Sequence, residues 1–192
     1  MLPRLGSSKL VSNWILITLG ASIVSALDGG WLARWTALEP SRIFRGEVWR
    51  LVTWPFVEPG PISLVVTCVF IYRFGSDLAH TWGERRLVRF ASQILVTAAV
   101  VTCLLTALVG GHGAHLGGWA VPDMLVIAWA RQFPERPLVL YGVLQVRGQQ
   151  LINMTVGAMV LFAIFFGPLA VAPELAACIA AAVYPREWLR KR

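Results

Sequence analysis

The chain has 192 residues, 57% of them hydrophobic and 14% charged, with a mean hydropathy of +0.66. That is too apolar for a soluble domain of ordinary composition and puts the chain in a bilayer. Its 17 basic against 10 acidic residues give +7 at pH 7, but the basic residues lie between apolar segments and at both ends, which argues for membrane topology and against nucleic acid as a partner.

Taken in order, the chain opens with Arg4 and Lys9 ahead of an apolar run. This resembles a signal peptide, but no small-residue cleavage site stands out before Asp28, so the run is read as a retained first span. Apolar runs over 13–27, 62–74, 90–109, 119–130, 151–166 and 169–184 predict six helices in one domain covering 1–192. In lipid each spanning backbone must satisfy its own hydrogen bonds, so the predicted fold is an all-α integral membrane bundle. Several runs are only about 13 to 16 residues long, below the roughly 17 to 25 of a comfortable span, which implies local thinning or re-entry. Residues 138–146 have one alternative reading, as an oblique or interfacial lead-in to the fifth span with Arg147 at the membrane surface.

Between the first two runs, residues 28–61 interleave Trp31, Trp35, Trp49 and Trp54 with Arg34, Arg42, Arg45 and Glu47. Indoles favour the headgroup level, so an amphipathic element in the outer interface is expected. Six spans put both termini on one side. Of the 17 basic residues only Arg34, Arg42, Arg45 and Arg50 fall on the other, so the termini are expected to be cytoplasmic.

Polar residues within the apolar runs are few. Cys68, Cys103 and Cys178 lack CxxC partners and read as small core residues. Asp123 is taken as the one charge between the loops. Such a carboxylate faces the bundle, water or a partner, unless it is simply a helix-start residue following Pro122. His112 and His115 form an HxxH pattern in a Gly-rich loop, without the Glu or helical frame of a zinc motif, so no metal and no cofactor are expected. Ala176/Ala180 and Ala177/Ala181 have the small-xxx-small spacing of close helix packing.

The stretch Arg45-Gly-Glu-Val-Trp-Arg-Leu-Val-Thr-Trp-Pro-Phe56, then Tyr72-Arg73-Phe74-Gly75 and Trp82-Gly83-Glu84-Arg85-Arg86, resembles the rhomboid superfamily. Trp129-Ala130-Arg131, Pro134, Tyr141-Gly142 and Val183-Tyr184-Pro185 make the second half most similar to its derlin branch. The resemblance implies a six-helix rhomboid-like bundle in which Trp49 and Arg50 anchor the first loop, the arginine satisfying loop carbonyls. It also implies an opening between the second and fifth helices, which Asn153 and Thr155 could line.

An active rhomboid protease needs a serine in a GxSG turn of the fourth span and a histidine base in the sixth. Here the last serine is Ser92 and the last histidine is His115. Where GxSG would lie the chain reads Gly117-Gly118-Trp119-Ala120-Val121-Pro122, which puts Ala120 or its apolar neighbour at the nucleophile position. Ser63 and Thr67 align with the oxyanion-binding histidine and asparagine of active relatives.

The expected function is therefore a pseudoprotease that binds transmembrane clients, along Ser63, Thr67, Asp123, Asn153 and Thr155, and thins the lipid bilayer in membrane-protein quality control or extraction. The derlin resemblance implies a AAA-type ATPase or membrane protease as partner. The chain ends seven residues after Pro185, which is read as leaving no room for a long ATPase-recruiting tail. The short termini point to a prokaryotic inner membrane rather than the endoplasmic reticulum. Two rivals are an intramembrane hydrolase using Cys103, Cys178, Thr155 or a metal at His112 and His115, and a small transporter.

Overall fold

A computed structural model describes residues 8–110, 113–117, 119–140 and 144–185. His112, Gly118, Tyr141-Gly142, Arg4 and the basic cluster Arg186, Arg190, Lys191 and Arg192 lie outside the described residues.

Helix α1 (Lys9–Leu27) starts at Ser8, whose hydroxyl accepts from the Val11 amide at 3.3 Å. The first loop holds three short helices, α2 (Trp31–Thr36), α3 (Pro40–Ile43) and α4 (Arg50–Thr53), which lean on α1 and on α7. Asp28 closes α1 and opens the loop, its carboxylate oxygens accepting from the Trp31 and Leu32 amides at 2.8 and 3.0 Å.

Pro61, whose missing N–H costs nothing in a first turn, begins α5 (Pro61–Phe70). It continues through a π turn over Ile71–Gly75 into α6 (Ser76–Trp82), making one 22-residue span. Helix α7 (Glu84–Val109) is the longest at 26 residues. After the 113–117 strip come α8 (Ala120–Gln132), α9 (Gly148–Phe166) and α10 (Ala172–Val183).

Every residue of α8 from Ala120 to Ala130 is buried, as expected of a helix that is apolar on every face save for Asp123 and forms the centre of a bundle. Helix α10 packs on both α7 and α8, with Ala177 and Ala181 fully buried at its contact face, so the small side chains allow close approach. Around α8 the aromatic rings interlock: Trp129 meets Phe74 edge-on at 5.5 Å, and Phe90 meets Trp82 and Tyr184 at 5.3 and 5.0 Å. The protein is thus the all-α membrane bundle that the sequence predicts, with a helix in each of the six apolar runs.

Among the described residues, four helices are long and apolar enough to cross a membrane. The other two, α8 with 13 residues and α10 with 12, rise only about 20 and 18 Å at 1.5 Å per residue.

Residues 138–146 do not lead into the fifth span as a helix. They form an antiparallel hairpin, β1 (Pro137–Leu140) and β2 (Leu144–Arg147), with Leu138 opposite Val146 and Pro137 opposite Arg147. Pro134 and Pro137 cannot continue α8, and Leu138 and Val146, both buried, hold the two strands in register. Arg147 ends β2 and caps α9. Gly148 is required at that junction, because a Cβ there would stand 2.6 Å from the Phe133 carbonyl oxygen and 3.1 Å from that of Ala130.

Candidate functional site at the loop end of the bundle

The first loop is built around Arg50, which is 1% exposed. Its Nη1 donates to the carbonyls of Arg34 and Ala37 at 2.7 and 2.8 Å, and its Nε donates to Glu47 at 2.6 Å. One guanidinium thus ties the end of α2 to the start of α4, which a planar five-donor group can do and an ammonium cannot. Trp49 next to it points outward: it is 42% exposed, stacks on Trp35 at 5.8 Å and donates its Nε1 to the Trp35 carbonyl at 3.3 Å. Trp31 extends the row at 5.6 Å from Trp35. An exposed indole row over a buried basic anchor has the chemistry of an interfacial element.

The strip before α8 is stitched to this loop. Leu38 and His115 exchange both backbone hydrogen bonds, at 2.8 and 3.0 Å, and the Gly117 amide donates to the Trp54 carbonyl at 2.8 Å. Burial in this seam lowers the pKa of the His115 imidazole from its ordinary value. Gly117 has φ +25°, and a Cβ on it would meet a Glu58 carboxylate oxygen and the Val57 carbonyl, each at 2.7 Å. Only glycine admits Glu58 here.

Glu58 reaches inward from the loop and is buried. Its amide donates to the Ser22 hydroxyl at 3.0 Å, and the Thr67 hydroxyl, from α5, donates to its carboxylate at 3.0 Å. Thr67 is itself 1% exposed. Beside it, the first turn of α8 places Ala120, fully buried, at the helix start and Asp123, 8% exposed, one turn on. The first turn of α10 supplies Glu174. One oxygen each of Asp123 and Glu174, Oδ2 and Oε2, is buried without a hydrogen-bond partner. Helices α8 and α10 pack together and Glu58 lies against Gly117 just before α8, so three carboxyls from three segments share one end of the bundle.

The remaining candidates sit elsewhere. Ser63 is half-buried and donates to the Gly60 carbonyl at 3.0 Å, bracing the first turn of α5. Asn153 is exposed and Thr155 half-buried. Both lie within the first two turns of α9, which starts against the end of α8 farthest from Asp123. The structure therefore gathers Thr67 and Asp123 at the loop end and leaves Asn153 and Thr155 toward the other. Cys103 and Cys178 are buried free thiols.

Glu58 and Glu174 have no place in the sequence expectation. Glu174 had a legible signal, since it lies inside the last apolar run as Asp123 does inside the fourth, and Asp123 is not the one charge there. Glu58 sits in a loop, where an acid draws no notice, and only its contact with Thr67 reveals it.

At the opposite end, Asp77 accepts from Trp129 Nε1 at 2.9 Å, Arg73 at 3.1 Å and Arg136 at 3.2 Å. Arg131 Nη1 donates to the Ala181 and Tyr184 carbonyls at 2.6 and 2.9 Å, and the Tyr184 hydroxyl donates to Gln93 at 2.7 Å. The Trp-Ala-Arg and Val-Tyr-Pro segments thereby close the ends of α8 and α10 together.

Comparison with known proteins agrees with this architecture. The chain is 27% identical to Derlin-1.2 of Zea mays over 108 residues, 55% of this chain and 44% of that protein. It is 25% identical to Derlin-1.1 of Zea mays over 122 residues, 63% of this chain and 48% of that protein. It thus spans about half the length of these relatives. A family described as eukaryotic integral membrane protein matches residues 10–189. A eukaryotic family and plant relatives do not support the prokaryotic inner membrane, for which short termini are no physical ground because they record no compartment. A rhomboid-like, derlin-like helical bundle matched almost from end to end makes the assignment plain: the chain belongs to the family Eukaryotic integral membrane protein (DUF1751).

Proposed function

We propose that the protein is a non-catalytic, derlin-like member of membrane-protein quality control, which receives transmembrane clients at a lateral opening beside α9 and eases their handling or extraction by thinning the bilayer. The observation that carries this reading is α8: a 13-residue, wholly buried helix at the centre of the bundle, beginning at Ala120, where a protease would begin with its serine. The methyl group of an alanine offers no nucleophile for acyl transfer. Helix α10, only about 18 Å long and turning Ile179 and Val183 outward, favours a locally thinner membrane where the hydrocarbon core is about 30 Å.

The opening is supported by α9, the least buried of the four long spans, which packs on α8 and turns Met154, Val160, Ile164 and Phe165 outward. The Trp31, Trp35 and Trp49 row would sit in the outer interface, with both termini cytoplasmic as the basic residues direct. A AAA-type ATPase or membrane protease would supply the energy for extraction.

Photo-crosslinkers at Val65 on α5 and Asn153 on α9, with Leu104 on α7 as reference, test the reading in native membranes. Capture of transmembrane proteins at the first two positions above the reference is expected. Capture of soluble proteins alone, or equal capture at all three, would refute it.

A further inference from the structure

The acids at the loop end are an arrangement that client binding as such does not require. Asp123 is more than nine-tenths buried, and its Oδ2 finds no donor; Glu174 Oε2, one helix away, is in the same condition. Asp123 and Glu174 stand in the first turns of two helices that pack together, so the two carboxyls lie at the same end of the bundle. Positive ends of the α8 and α10 dipoles favour negative charge in those first turns, but they provide no donor to the two orphaned oxygens. A buried carboxyl oxygen in a membrane protein ordinarily meets a donor, and these two do not.

Each bland explanation is incomplete. A helix-start role accounts for an acid in each first turn, not for a buried oxygen on each that meets no donor. A metal site would need a cluster of ligands, and among the described residues no group of three His, Cys, Asp or Glu is placed to hold an ion. A group that brings several N–H donors on a flexible apolar stem matches two separated carboxylate oxygens better. Lysine and arginine side chains of a transmembrane segment are such groups, and in lipid they are in need of a partner.

We propose that Asp123 and Glu174, with Glu58 behind them, form a recognition site for a basic side chain within a client's membrane span. The site selects clients carrying lysine or arginine at the depth of the outer leaflet, where α8 and α10 begin. This rests on the client-binding reading and adds the class of client to it.

The test uses the full chain reconstituted in lipid nanodiscs and designed single-pass Leu/Ala segments bearing one lysine, arginine, glutamine or methionine at outer-leaflet depth, with binding read by fluorescence transfer. Lysine and arginine segments should bind at least tenfold tighter than the methionine segment. Asp123→Asn and Glu174→Gln should each remove most of that preference, with a circular dichroism spectrum matching the wild type as the check that the variant has folded. Equal binding of all four segments would overturn the recognition site and leave client binding standing. Binding of none would overturn both. A preference that survives both substitutions, or one abolished by millimolar calcium with matching calcium-dependent stabilisation, would overturn the assignment by placing the basic group elsewhere or giving the acids to an inorganic cation.

Discussion

Replacing Arg50 by alanine removes three donated hydrogen bonds at once and leaves the Arg34 and Ala37 carbonyls and the Glu47 carboxylate without their shared donor. Arg50 is 1% exposed, so water cannot take its place without opening the loop. Breaking a buried charged contact by deleting one partner costs about 3–5 kcal/mol. Glu47 retains some solvent contact, which favours the lower end, about 3 kcal/mol. At roughly 2–4 °C per kcal/mol for a chain of this size, the unfolding midpoint should fall by about 10 °C. Arg50→Lys keeps the charge but not the fork and should fall between. The midpoint can be followed in detergent with a thiol-reactive dye, because Cys103 and Cys178 are buried and react only on unfolding. An Arg50→Ala protein within 2 °C of the wild type, or a lysine variant worse than alanine, would refute the reasoning.

Gly117→Ala forces a Cβ into the Glu58 carboxylate and the Val57 carbonyl and should destabilise by about 1–3 kcal/mol, measured by the same thermal assay, with Gly113→Ala, which meets only the His115 ring at 3.7 Å, near neutral. Arg131→Ala strips two carbonyls at the end of α10 of their donor, at a cost of about 2 kcal/mol; hydrogen exchange should rise over residues 181–184 and not at the loop end. Because burial lowers the His115 pKa, the unfolded chain binds more protons as pH falls through about 6.5. Stability should therefore decline with acidification across that window and level off below the folded-state value, and His115→Gln should reduce the slope of midpoint against pH.

Much of the fold was legible because lipid leaves few choices. Each apolar run became a helix, and Trp49-Arg50 marked the loop that a buried guanidinium organises. The hairpin escaped because Leu138-Val139-Leu140 is apolar on both strand faces, and the alternation of Leu144-Gln145-Val146-Arg147 is too short to stand out from an oblique or interfacial stretch. At the site, Asp123 announced itself as a lone carboxylate in an apolar run. Glu174 carried the same signal among alanines. Glu58 gave none: its role depends on Thr67, nine residues away on α5, and on the space left by Gly117, neither of which local patterning reports.

Incubation with a transmembrane segment separates client binding from proteolysis most directly. With the purified chain in liposomes, a single-pass client and a photo-crosslinker at Asn153, mass spectrometry of the adduct distinguishes the outcomes. The account predicts an adduct containing the intact client and no cleaved fragments over extended incubation. Fragments that appear with the wild type and vanish on one substitution, at Thr155, Cys103 or Cys178, would contradict it.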